Sequence, residues 1–160
     1  MGKISLPPFI QQQAAFWLPV CPVHLIADRD TLVLAPTAGL GLTLLEAESL
    51  VESFNRHFSG DGYILWAESE TEWFLGSSHS WRLNFPPLAQ AESMNCREAW
   101  QQGKDAGTWR KLLNELQMLW FSHSTNQQRE LQGYLPINGI WVMRQTRFRL
   151  MIRWWQQWFK

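Results

Sequence analysis

Cysteine is scarce in this chain of 160 residues. Cys21 and Cys96 show no CxxC spacing and are too few for a disulfide framework. They read as buried thiols kept reduced, and the expected compartment is the cytoplasm. No run of about 18 apolar residues occurs, so no membrane-spanning helix is expected. The N-terminus lacks a basic segment followed by a long apolar core. Pro7, Pro8 and the run Gln11, Gln12, Gln13 interrupt it, so no signal peptide is read. Net charge is missing too, with 14 basic residues against 14 acidic ones, and no specific signal points to nucleic acid. His24, His57, His79 and His123 have neither HxH nor HxxxH spacing, so neither a metal site nor a cofactor is expected. Gly39 and Gly41 begin a GxGxxG pattern that Leu44 breaks, and no GxSxG elbow is present.

What is abundant is aromatic. Eleven tryptophans and nine phenylalanines supply large apolar area from few residues. They read as a Trp-heavy core with a few exposed rings, or as a core plus a recognition surface. The length suits one domain with a real core. Charge is unevenly placed. Residues 144–160 carry Arg144, Arg147, Arg149, Arg153 and Lys160 with no acid, leaving nine basic and 14 acidic residues before them.

The pattern along the chain predicts an α+β fold: an antiparallel ββαββ half followed by a mainly helical half. Residues 1–20 read as an irregular N-terminal arm, 21–143 as a single α+β domain, and 144–160 as a basic aromatic C-terminal helix. Residues 22–27 and 31–35 read as a hairpin turning at Asp28, Arg29 and Asp30. Thr43 and Glu46 form a capping box. Leu44, Ala47, Leu50, Val51, Phe54 and Phe58 then give one apolar helical face over 44–58, stopped by residues 59–62. Strands are expected at 63–67 and 72–75. Residues 76–107 resist assignment, apart from a short helix over 88–94 started by Pro87. They hold either an unrecognised element or a functional loop. A firm amphipathic helix covers 108–121, and 137–142 reads as a short strand.

Chemistry concentrates in the polar run from His123 to Glu130. On a helical turn, Asn126, Arg129 and Glu130 would share a face. Arg129 would clamp a carboxylate or phosphate through its planar fork, His123 would exchange a proton near neutral pH, and Asn138 would add an amide. These five residues are the ligand-binding candidates for an anionic small molecule or a protein segment. The competing reading has them capping helices and tying loops to the core. No catalytic residue is assigned. The second feature is the tail. As a helix it would place Trp155 and Trp158 on an apolar side and Arg149 and Arg153 on a polar one. Such a helix docks on an acidic partner, contacts a membrane interface, or packs on its own domain.

One resemblance adds to this. The segment Gln102-Gly103-Lys104-Asp105-Ala106 continues into Trp109-Arg110-Lys111-Leu112-Leu113-Asn114-Glu115-Leu116. Then follow His123, Asn126, Arg129, Glu130, Gly133, Leu135, Pro136, Asn138 and Trp141. This block resembles a proteobacterial family labelled cofactor-independent phosphoglycerate-mutase-like, or Rpf-type regulatory protein. The likeness is weaker over the rest of 20–142. The mutase label implies phosphoryl transfer by a serine nucleophile and two metal ions held by Asp and His clusters. No such cluster is visible, so the resemblance supplies a family and no catalytic residues. The chain departs from the family after Trp141, where it reads Val142, Met143, Arg144, and the tail reads as a divergent or truncated end. Three functions follow as expectations. The first is a non-enzymatic regulatory or ligand-binding protein. The others are a phosphoryl-transfer or hydrolytic enzyme, and a membrane or protein-docking module acting through the tail.

Overall fold

A strand with two prolines, Phe16-Trp17-Leu18-Pro19-Val20-Cys21-Pro22-Val23, lies inside a four-stranded antiparallel sheet. The protein is described from a computed structural model over residues 6–35, 37–98, 100 and 102–143. In chain order the elements are α1 (Pro8–Gln11), β1 (Phe16–Val23), β2 (Leu25–Ala27), β3 (Leu32–Leu34), α2 (Leu44–Phe58), β4 (Ile64–Ala67), β5 (Trp73–Ser77), α3 (Leu88–Ala91), α4 (Ala106–Phe121), α5 (Ser124–Leu131) and β6 (Gly139–Val142). The sheet order is β4-β5-β1-β6, and β2 pairs with β3 in a separate two-stranded sheet.

The fold is α+β, as the sequence pattern predicts. The main correction concerns residues 16–20, expected in an irregular arm. They belong to β1, so the expected boundary at residue 20 falls inside a strand that has neighbours on both sides. Prolines mislead here because they are confined to strand edges and ends. Met143 donates to the Pro19 carbonyl and Asn138 to the Val23 carbonyl, so odd-numbered residues of this stretch turn their backbone toward β6. Pro19 therefore ends the β6 ladder, since it has no N–H to return. Pro22 turns toward β5 but lies past the last pair on that side, Val20 with Trp73. Each proline thus lies at the end of the ladder that its missing N–H would have faced.

Alternation then builds two faces. Leu18, Val20, Leu65, Trp73 and Leu75 meet α2 and α4 in the main core. Trp17, Phe74, Ile64 and Trp66 meet Leu6 and Ile10, so the N-terminal residues form a small second core on the opposite face. α2 follows the predicted capping box, with Thr43 Oγ1 accepting from the Glu46 amide and Glu46 returning the bond.

The described residues between 78 and 105 hold α3 and otherwise wrap the domain. Aromatic stacking fastens them. The Phe85 ring lies 5.3 Å from Trp141 and 5.9 Å from Trp100, and the Trp141 indole donates to the Pro86 carbonyl at 3.0 Å. Among the eight described tryptophans, Trp17, Trp73, Trp109, Trp120 and Trp141 are buried, so the aromatic excess is mostly core. The second half supplies α3, α4 and α5 but also β6, which closes the sheet against β1.

Gly76 marks the tightest point between β5 and the second core. A Cβ there would stand 2.6 Å from Ile64, 2.7 Å from Ala14 and 2.9 Å from Trp17 side-chain atoms. Gly76→Ala is expected to destabilise the fold by about 1–3 kcal/mol through overpacking, read as a lower urea midpoint at unchanged slope.

Candidate functional site

The polar run folds because α4 ends at Phe121 and the chain restarts a helix two residues later. His123 is the N-cap of α5, and its Nδ1 accepts from the Thr125 amide at 3.1 Å. One turn on, Asn126 and Arg129 face inward and are buried. Glu130 is exposed, so the expected shared face holds two of its three members. Each inward group is occupied by the chain itself.

Asn126 pairs with both backbone groups of Ile137, at 2.8 Å each, and also donates to Trp120 O at 2.9 Å. Asn138 does the same to Leu25, accepting from its N–H at 2.7 Å and donating to its C=O at 2.9 Å. Arg129 is fully buried and its fork is filled. Nε donates to Leu135 O at 2.9 Å, Nη1 to Glu46 Oε2 at 2.9 Å, and Nη2 to the Leu40 carbonyl. The Tyr134 ring lies 5.4 Å from the guanidinium carbon. The Glu46 oxygen that binds Arg129 also caps α2. An external anion would have to displace Glu46.

A different surface is open. α2 lies beside β4, and between them runs a groove of about 820 Å³ that extends to Pro7. Leu44, Val51 and Trp66 give it an apolar lining, while Glu48, Glu52 and Glu68 border it with carboxylates against one cation, Arg56. The Trp66 indole donates to Glu68 at 2.9 Å and holds that carboxylate in place. β4 is an edge strand. Asn55 closes its rim at Leu65, accepting from the N–H at 2.7 Å and donating to the C=O at 3.0 Å. Antiparallel alternation turns the backbone of Ala67, two residues on, the same way, and Ala67 lines the groove. The sequence pattern counts Leu44 as core although it is exposed, so it misses this surface. The legible signal is Glu48 and Glu52, four apart beside that stripe.

The remaining groups are placed as follows. Arg149, Arg153, Trp155 and Trp158 lie outside the described residues. Both cysteines are free and buried, and burial, with Glu92 nearby, pushes the Cys21 thiol up to about 12. Among the described residues no three His, Cys, Asp or Glu side chains gather at metal-binding range, and no helix is long and apolar enough to cross a membrane. No family model, curated protein or solved structure matches the chain.

Three outcomes test the clamp. Arg129→Ala should cost about 3–5 kcal/mol, because it empties a buried ion pair. Arg129→Lys should lose more than half of that, since one ammonium cannot serve three separate acceptors. Glu130→Ala should stay within about 0.5 kcal/mol. Denaturant titration reads all three.

His123 generates a pH effect. Burial, then the Arg56 charge, hold its imidazole below the usual histidine value, with Ser49 and Glu52 opposing. The unfolded chain takes up this proton near its ordinary pKa of about 6.5, the folded chain only at lower pH. Stability should therefore fall as pH drops through that window, because the unfolded state binds more protons there. Protonation also removes the cap acceptor. His123→Asn keeps an acceptor and should flatten this part of the profile between about pH 7.5 and about pH 5.5. Asp105 sits lower: burial raises it, but hydrogen bonds and charge from Arg82 outweigh that, so its loss belongs below the ordinary carboxylate range.

Proposed function

We propose that this chain is a non-catalytic, regulatory binding protein, and that it binds a polypeptide segment in the α2–β4 groove. The observation that carries the reading is the groove's composition. It combines an apolar floor, three carboxylates and an outward-turned strand backbone at Ala67. These are the three handles that peptide-binding surfaces use: pockets for apolar side chains, charge for register, and main-chain hydrogen bonds from an edge strand. The partner this chemistry recognises is a cationic segment carrying aromatic or aliphatic residues. The filled fork of Arg129 supports a site at the groove over one at the His123–Asn138 motif.

This reading agrees with the regulatory side of the resemblance seen in residues 102–141, and it leaves the mutase side without assigned residues. The two unpaired thiols, which stay reduced in the cytoplasm, support a location there.

The test is a fluorescence titration of the full chain with a short synthetic peptide alternating tryptophan or leucine with lysine. Paired Glu48→Lys and Glu52→Lys should weaken binding about tenfold, as two surface charge reversals of roughly 0.7 kcal/mol each would do. Glu130→Lys, on α5, should leave it unchanged. Equal affinity for all three proteins, or no binding at all, would contradict the reading.

A further inference from the structure

The groove is acidic, and the chain ends in a segment of opposite charge. We propose that residues 144–160 of this chain are the groove's resident occupant, so that a partner must displace them to bind. This rests on the reading of the α2–β4 groove as a peptide site, and it adds regulation to that site.

Three observations support it. The first is charge. Arg144, Arg147, Arg149, Arg153 and Lys160 face no acid within their own segment, whereas Glu48, Glu52 and Glu68 border the groove against Arg56 alone. The nearest ion pair that would neutralise them, Glu52 with Arg56, is long at 3.9 Å and exposed on both sides, so it holds Glu52 weakly.

The second is position. Val142 pairs with Val20, Val20 with Trp73, and Trp73 with Ala67, so all four stand on one row across the sheet. Three interstrand steps of about 4.8 Å put Val142 roughly 14 Å from Ala67. Val142, the last paired residue of β6, therefore stands on the row of Ala67, the neighbour of the Glu68 that borders the groove. The 17 residues from 144 to 160 span up to about 56 Å, several times the distance required.

The third is side-chain chemistry. Trp154, Trp155, Trp158 and Phe159 match an apolar floor that already contains Trp66, whose ring meets Phe9 edge-on at 6.1 Å. The arginines match the carboxylates above it. A tethered segment competes at an effective concentration of about 1 mM, so a tail with an intrinsic dissociation constant of about 0.1 mM would weaken a free peptide about tenfold.

The experiment uses the full chain with p-benzoylphenylalanine in place of Leu44, at the rim of the groove. Irradiation should give a cross-link within the monomer, mapped by mass spectrometry to residues 144–160. Paired Arg149→Glu and Arg153→Glu should reduce that cross-link at least fivefold and raise the affinity for the free lysine–tryptophan peptide about tenfold. Arg149→Lys with Arg153→Lys should preserve both wild-type values. The proposal is overturned by the absence of a cross-link to 144–160, by one indifferent to charge reversal, or by one formed only between two molecules. In those cases, continued binding of the free peptide means that only the occupant is wrong. Failure of that peptide to bind either protein removes the peptide-site reading as well.

Discussion

A guanidinium with no access to water must find its acceptors within the chain, and most of this architecture is arranged around that requirement. Arg129 ties the nearby connection into β6, through Leu135, to two points more than 80 residues away: the loop at Leu40 and the first turn of α2 through Glu46. Leaving such a charge unpaired costs several kcal/mol. The start of α2 is therefore fixed against α5. The same Glu46 oxygen caps α2, so the helix start and the ion pair stand or fall together. Since α2 forms one wall of the groove, the clamp positions the proposed binding surface without touching it.

Asparagine carries the next level of order. Asn55, Asn126 and Asn138 each offer one amide to both backbone groups of a single residue, Leu65, Ile137 and Leu25 respectively. A carboxamide has one donor side and one acceptor side, so it completes an extended chain as a neighbouring strand would. Strand rims left open invite pairing with other chains. Asn138 closes the rim of β2, while Asn95 accepts from Leu32 on β3. On β4 the closure stops at Leu65, and Ala67 is the backbone position that remains turned into the groove.

Much of the fold was legible in the sequence. The capping box at Thr43 and Glu46, the period of α2, the α4 stripe and the Asp28–Asp30 turn are local signals, and each appears where the pattern placed it. β1 was hidden because Pro19 and Pro22 argue against a central strand, and only the finished ladder shows that both sit where it ends. The wrapping of 78–105 was illegible because ring stacking between Phe85, Trp100 and Trp141 has no sequence period. The polar motif was found as a cluster, but composition cannot tell an arginine aimed at solvent from one aimed at Glu46. The groove was missed for a related reason: Leu44 belongs to the apolar stripe yet lies at its exposed end.

The central claim is that partners meet this protein at the α2–β4 groove and not at the His123–Asn138 motif. Backbone amide shifts of the isotope-labelled full chain, followed while the lysine–tryptophan peptide is added, test it most directly. The account predicts that the largest changes fall on residues 44–59 and 66–68, with Ala67 among them and Asn126 and Arg129 unmoved. Changes centred on 123–138, with 44–59 silent, would contradict it.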